Sequence, residues 1–335
     1  MTTEMNKPDI LITGAAGYLG YNLTQKLISM GCTPGLLLQD ETVPDYLKAL
    51  QAKVEIVETD CHDAGAVADA VKGYRFVYHT STSGQVSSYH PAESKQSAEE
   101  MVAQTRNVFQ ACQLRGVEKA VYISSYAIGN TENAGNSGAE IRHLLPYLRG
   151  KAETEEMVIA LSREMKFSIS MVKTSMLLGP EDPFLTPTHR FLLELLKGKI
   201  RAIPRGGVNP VDVRDVVDGI VKVMEKGRNG HTYTLAGDKN FYIREFIGLI
   251  NDLREIYIPE TILSRKKAAR LVSISDWFGR LRGRDAAFTN EMAADIIEHY
   301  AWFDNASSKR HLDWSPRPLT STLEESIRFL ETTYL

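Results

Sequence analysis

"DILITGAAGYLGYNLTQKLISMG", residues 9–31, joins a short apolar run to an amphipathic one through a turn with glycines at positions 14, 17 and 20. The four apolar or β-branched residues before the turn read as a buried strand, and the 3–4 spacing of apolar residues after it reads as a helix. A strand that enters a helix through three evenly spaced glycines is built for close backbone approach. Gly14 permits the tight turn, Gly17 lets a pyrophosphate come near the backbone, and Gly20 lets the helix lie close to the sheet. The surface offered to such a ligand runs from Gly14 through Ala16, Gly17, Tyr18 and Leu19 to Gly20.

The same alternation continues outward from this turn. GLLLQ, VEIVETD, RFVYHT, KAVYISS and FSISMVKT read as strands, and AGAVADAVKG, SAEEMVAQTRNVFQACQLRG and the stretch opened by PYLRGK read as helices. Repeated strand–helix units predict a doubly wound parallel sheet, an α/β Rossmann fold, with right-handed crossovers. Ligands of such sheets lie at the carboxyl ends of the strands. There the sequence places Asp60 and Cys61 after the third strand, Thr80, Ser81 and Thr82 after the fourth, and Thr174 and Ser175 after the sixth. Asp60 is suited to accept an adenine amino group, and the small hydroxyl residues are suited to line a ribose-phosphate path.

Composition narrows the class. The 335-residue chain has 43% hydrophobic and 24% charged residues, enough for a large core, and a net charge of −3 gives no electrostatic reason to expect nucleic acid. Cys32, Cys61 and Cys112 show neither disulfide-framework nor zinc spacing. The triplet Cys61-His62-Asp63 has no second cluster to complete a metal shell, so no metal is expected. The polar start MTTEMNKPD lacks signal-peptide layout, no apolar run reaches the ~18 residues of a span, and a reducing cytoplasmic setting fits.

Tyr147 and Lys151 are the one Tyr-x-x-x-Lys pair in the chain, and roughly 0.75 such pairs would arise by chance, so the spacing alone says little. Context changes that. The glycine spacing with Asp60, the run GVEKAVYISSYAIG and Tyr147-x-x-x-Lys151 together resemble the extended short-chain dehydrogenase/reductase superfamily of NAD-dependent epimerase/dehydratase type. LLGPEDPFLTPTHRFLLELLKGKIRAIPRGGVNPVDVRDVVDGI and WFDNASSKRHLDWSPRPLTSTLEESIRFL are most similar to its branch of dihydroflavonol reductases, 3β-hydroxysteroid dehydrogenases and hopanoid-associated sugar epimerases.

The resemblance implies an NAD(P)-dependent oxidoreductase that interconverts a hydroxyl and a carbonyl on a small or medium organic substrate. Tyr147 would be the general acid/base, Lys151 would hold the nicotinamide ribose, and Ser125 would hydrogen-bond the reacting oxygen. It also implies a homodimer through the helices near 94–115 and 147–165. A nucleotide-sugar epimerase or dehydratase with retained NAD, and a catalytically silent NAD(P)-binding regulator, are the alternatives. The chain departs from the family in three places. Met101 and Gln104 replace an asparagine and a glycine, Lys173-Thr174 replaces an "RP" or "NP" pair, and Tyr126-Ala127 lacks a dehydratase's acidic pair.

Gln39 and Asp40 end the second strand without a basic residue before Lys48, which favours NAD over NADP, although a base from elsewhere in the fold would reverse that preference. The domain reading gives residues 1–175, with a returning segment at about 211–239, to the dinucleotide-binding domain. Residues 176–210 and 240–335 go to a smaller substrate-binding domain, and the variable segments around Gln85, Tyr126, Met176, Phe184 and His189 set the shape of the pocket. His143 reads as an ordinary loop histidine. Residues 265–284 form a basic amphipathic pattern that reads as a covering helix rather than a membrane-surface contact.

Overall fold

The computed structural model describes residues 9–39, 43–80, 91–124, 146–200, 202–263 and 300–335, the side chains of 91–98 and 146–149 not being among them. The chain runs β1 (Ile10–Thr13), α1 (Tyr18–Ser29), β2 (Gly35–Leu38), α2 (Asp45–Lys48), β3 (Glu55–Glu58), α3 (Ala64–Val71), β4 (Phe76–His79), α4 (Pro91–Arg115), β5 (Lys119–Ser124), α5 (Pro146–Glu164) and β6 (Ser168–Thr174). After these come β7 (Met176–Leu178), α6 (Pro187–Leu196), β8 (Ala202–Pro204), β9 (Gly207–Val208), β10 (Pro210–Asp212), α7 (Val213–Lys226) and β11 (Thr232–Leu235). The last are β12 (Phe241–Tyr242), α8 (Ile243–Leu253), β13 (Thr261–Leu263), α9 (Ala306–Leu312) and α10 (Leu319–Tyr334).

Seven strands form one sheet in the order β11-β6-β5-β4-β1-β2-β3, and every pairing in it is parallel. The strand order reverses between β1 and β4, where Thr13 lies opposite His79. Crossovers from β1 and β4 leave to opposite sides, so the strand ends there open a crevice.

Successive residues of β1 face opposite layers, as a strand requires. Ile12 packs with Leu23 and Leu27 of α1 and with Val216, Val217 and Ile220 of α7. Leu11 packs with Val67 of α3, Val108 and Phe109 of α4, and Val158 and Leu161 of α5. Both faces of the central strands are therefore covered, which explains why those strands read as apolar runs, whereas the edge strand β3 carries Glu55 and Glu58 and is exposed to half-buried. Leu312 and Trp314, near the C-terminus, join the first of these layers.

A third apolar cluster lies beyond β6. Met176 and Leu178 of β7, Leu192 and Leu195 of α6, Phe246 and Ile247 of α8, and Leu323 and Ile327 of α10 build it. Asp212 caps α7 by accepting from the Arg214 amide at 2.9 Å, satisfying one of the free amides of the first turn. Its other oxygen accepts from Thr322 of α10 at 3.0 Å, which ties this cluster to the main sheet. No helix among the described residues is long and apolar enough to cross a membrane.

Candidate active site

The first βα turn has the backbone that its glycines require. Gly14 has φ +72°, in the left-handed region, and its carbonyl accepts from the Gly17 amide at 3.0 Å. A Cβ on Gly20 would stand 2.2 Å from the Gly14 oxygen and 2.8 Å from the Ala15 Cα, so only glycine lets α1 begin this close to the strand. A Cβ on Gly17 would meet only that oxygen, at 3.4 Å; the position faces open space.

Several side chains brace the turn. Thr80 Oγ1 donates to the Thr13 carbonyl at 2.8 Å and lies 3.2 Å from that of Gly14, while Tyr46 Oη donates to the Ala16 carbonyl at 2.7 Å. Helix α1 has no side-chain cap and no acidic residue in its first turn. Its leading amides and positive dipole end are thus left for an anion.

Tyr18, though inside the glycine motif, turns its side chain away from the open face. Its ring is 6% exposed, and its hydroxyl donates to the Pro180 carbonyl at 3.2 Å. Burial, then the Asp182 and Asp212 carboxylates, raise its pKa well above the ordinary phenol value. Only the backbone of Tyr18 remains for a cofactor.

At the ends of the outer strands, Gln39 is exposed after β2, and Asp60 is exposed after β3 with one oxygen accepting the His62 amide at 2.8 Å. Gln104, the residue at the family's glycine position, is buried and places its amide 3.0 Å from His62 Nε2 and 3.5 Å from Gln39 Oε1. Cys61 is buried, its thiol pushed up to about 11 by burial and by Asp60. Asp63 caps α3 through the Gly65 and Ala66 amides. His62 and Asp63 thus have partners of their own, and Cys61 is packed in the second apolar layer.

Lys151, on α5, is 1% exposed. Burial pulls its ammonium down to about 7, against the Glu155 carboxylate, which acts in the opposite direction. Across from it at the end of β4, His79 sits between two hydroxyls, Thr13 Oγ1 at 2.6 Å from Nδ1 and Thr105 Oγ1 at 3.0 Å from Nε2. Burial, then the Lys151 charge, drives His79 to about 3, so the imidazole is neutral. The sequence pattern did not reveal His79; its position at the end of a strand beside the switch point was the available signal.

Glu155, one helical turn beyond Lys151, binds Lys173 at 2.5 Å through Oε1 and accepts from Ser124 Oγ at 3.1 Å through Oε2. Ser175 is fully buried, and its hydroxyl has no hydrogen-bond partner among the described residues. Thr174, beside it, is also buried. Met101, at the family's asparagine position, is 2% exposed and brings no polar group there.

The structure thus brings the glycine turn, Thr80, His79, Lys151, Thr174 and Ser175 to the carboxyl ends of neighbouring strands. Asp40, Ser81, Thr82, Gln85, Ser125, Tyr126, His143 and residues 265–284 lie outside the described residues, as does the Tyr147 side chain. Tyr147 is placed within α5, one turn before Lys151.

In the segment expected to shape the pocket, the His189 side chain itself is fully buried, with Nδ1 2.9 Å from Asp182 Oδ2 and Nε2 2.7 Å from the Gly179 carbonyl. Thr186 Oγ1 lies 3.1 Å from the same Nδ1, so both ring nitrogens have partners inside the fold. Phe184 is 46% exposed, and Met176 belongs to the third apolar cluster.

A cleft for a dinucleotide at the switch point fits this arrangement, since the open cradle at Gly17, the uncapped α1 and the orphaned Ser175 hydroxyl all await polar partners. Residues 10–236 match the NAD dependent epimerase/dehydratase family. The chain belongs to that family.

As a member, it is an NAD(P)-dependent oxidoreductase of the extended short-chain dehydrogenase/reductase type. Sterol demethylase protein B of Methylococcus capsulatus is 29% identical over 68% of this chain and 69% of its own length. The 2-alkyl-3-oxoalkanoate reductase of Stenotrophomonas maltophilia is 25% identical over 96% of this chain and 98% of its own. The crystal structure of gox2253 superposes with a TM-score of 0.81 at 24% identity, covering 98% and 99% of the two chains, and speaks to the fold.

Proposed function

We propose that this family member exchanges NAD(H) with solvent and reduces a ketone, or oxidises the matching alcohol, with Tyr147 as the acid/base. The observation that carries the reading is Lys151, a buried lysine one turn after Tyr147 and beside the β4 end of the switch point. Bound NAD(H) supplies or accepts the hydride at the substrate carbon. In reduction, Tyr147 donates its proton to the carbonyl oxygen, and Ser125 donates a hydrogen bond that stabilises the developing negative charge. The Lys151 ammonium favours the resulting phenolate and holds the nicotinamide ribose.

Gly14, Gly17 and the first-turn amides of α1 would take the pyrophosphate, and Ser175 and Thr174 would meet the nicotinamide end. Full-length similarity to a 2-alkyl-3-oxoalkanoate reductase favours a reductase over a sugar epimerase and suggests a β-keto acyl compound among the substrates. Cytoplasmic location and a homodimer paired through α4 and α5 belong to the same reading. These two helices already pack on each other along one face of the sheet, and light scattering at micromolar protein measures the assembly.

The deciding experiment follows consumption of reduced cofactor over a panel of β-keto acyl, steroid and flavanonol compounds. Turnover with freely exchanging NADH supports the reading. Tightly retained cofactor in the purified protein, with no net consumption over the panel, would replace it with the epimerase.

A further inference from the structure

We propose that Gln104 reads the adenine of the bound dinucleotide, its buried side-chain oxygen accepting a hydrogen bond from the 6-amino group. The proposal rests on the dinucleotide-binding reading above and adds which side chain, away from the glycine turn, recognises the base.

Gln104 is 5% exposed on α4, and its Nε2 lies 3.0 Å from His62 Nε2 and 3.5 Å from Gln39 Oε1. An amide nitrogen only donates, so its two hydrogens go to these two acceptors. Oε1 of the same amide has no hydrogen-bond partner among the described residues. A buried carboxamide with both hydrogens placed and its oxygen unmatched is set for a donor from outside the chain. Its surroundings are held in place. Asn107, three residues on along the same face of α4, donates to the Cys61 and His62 carbonyls at 3.0 and 3.2 Å, and Asp60 Oδ1 accepts the His62 amide at 2.8 Å.

The order of the elements brings the base to this amide. The glycine turn after β1 leaves the first amides of α1 open to a pyrophosphate. Gln39 comes 19 residues after Gly20, the place in a dinucleotide-binding βαβ unit that meets the adenosine ribose, and its side chain touches Gln104. Strand β3 pairs with β2 on the side away from β1. A base carried by that ribose therefore comes to the ends of β2 and β3, within reach of Gln104 and Asp60.

The groups left open there select adenine. Its 6-amino group carries two N–H donors, and the acceptors are Gln104 Oε1 and the Asp60 oxygen that the His62 amide leaves free. Hypoxanthine has a carbonyl oxygen at the same place, which would meet oxygen on both sides. The unaltered protein should therefore bind NADH about tenfold or more tightly than the reduced nicotinamide hypoxanthine dinucleotide. Gln104→Met keeps a side chain of similar length without the acceptor. It should cut that ratio about fivefold, with Asp60 supplying what remains.

Both dinucleotides carry the same fluorescent dihydronicotinamide, so titrating each into the full chain without substrate gives the two affinities and their ratio. A fall in the ratio of about twofold or more in Gln104→Met supports the proposal, and a smaller change overturns it. Affinity lost equally for both dinucleotides leaves the ratio where it was, the behaviour of a merely structural brace, and so overturns it too. An unaltered protein that binds the two equally well has the same consequence. If Gln104→Met does not fold, Gln104→Ala is read by the same ratio. No turnover is needed for this measurement. A ratio that depends on Gln104 in a protein without turnover counts against the proposed function alone, and NADH turnover with a ratio independent of Gln104 counts against this proposal alone.

Discussion

Tyr18 stands edge-on to His189, with ring centroids 5.2 Å apart and planes at 88°. One residue belongs to the glycine turn and the other to a buried His189–Asp182 contact 171 positions later in the chain. The contact links the glycine turn to the third apolar cluster, whose Phe329 ring lies 6.3 Å from that of His189.

Asp182→Asn tests that junction. Burial opposes the carboxylate charge, yet hydrogen bonds from His189 and Thr186 hold the Asp182 carboxyl below its ordinary value. Its contribution to stability is therefore present at neutral pH and lost as pH falls through the lowered value. Disturbing a fully buried carboxylate that accepts from the Phe184 and Thr186 amides and lies against His189 should cost about 1–3 kcal/mol, read as a shifted midpoint in urea unfolding. A loss below about 0.5 kcal/mol would show that these buried hydrogen bonds do not hold the junction together.

Two glycine substitutions should separate folding from cofactor binding. Gly17→Ala places its methyl in open space, so the protein should melt normally while NADH affinity falls. Gly20→Ala drives a methyl into the Gly14 carbonyl and should lower both. Calorimetric melting and fluorescence titration measure the two effects; equal thermal losses in the pair would contradict the assigned roles.

Tyr147→Phe should reduce turnover by ~10²–10⁴ with a competent substrate and leave NADH affinity nearly intact, because the missing hydroxyl acts in proton transfer. Lys151→Ala should damage both. Steady-state rates beside binding titrations distinguish them, and near-normal turnover in the Phe variant would remove Tyr147 from the mechanism.

Lys151 also makes stability depend on pH. The ammonium titrates near 10.5 in the unfolded chain and at about 7 in the fold. Below about 7 both states hold the proton and the fold bears the full cost of a buried charge. Between the two values the unfolded chain binds more protons, so stability rises with pH; above both values the cost is gone. Lys151→Met should flatten that rise, as seen in melting temperatures from neutral to alkaline pH relative to the unaltered protein.

Cofactor choice should favour NADH over NADPH by roughly 5- to 150-fold, equivalent to ~1–3 kcal/mol, because a 2′-phosphate would meet Gln39 and Asp40 rather than a base. Competitive fluorescence titration with both cofactors measures it. Tighter NADPH binding would show that a basic group from another element reaches the phosphate.

The order of strands and helices was legible because burial on both faces forces continuous apolar runs, and because Gly14 and Gly20 answer steric demands only glycine meets. The glycine turn, the strand-end hydroxyls and the Tyr147–Lys151 spacing are local patterns, and a local pattern survives in the sequence. Pairings across the fold are different. His79 between Thr13 and Thr105, Glu155 between Lys173 and Ser124, and His189 buried on Asp182 are decided by which strand lies beside which and how far α5 and α6 rotate against their neighbours. His189 shows the limit: its sequence neighbourhood suggested a pocket wall, whereas the acceptors that fix it, a carboxylate and a carbonyl 7 and 10 residues away, face it only after the loop before α6 folds back. Sequence thus determined the elements and the chemistry they can offer. Tertiary structure determined which charges are desolvated and which partner compensates each, because desolvation depends on neighbours brought together only by packing.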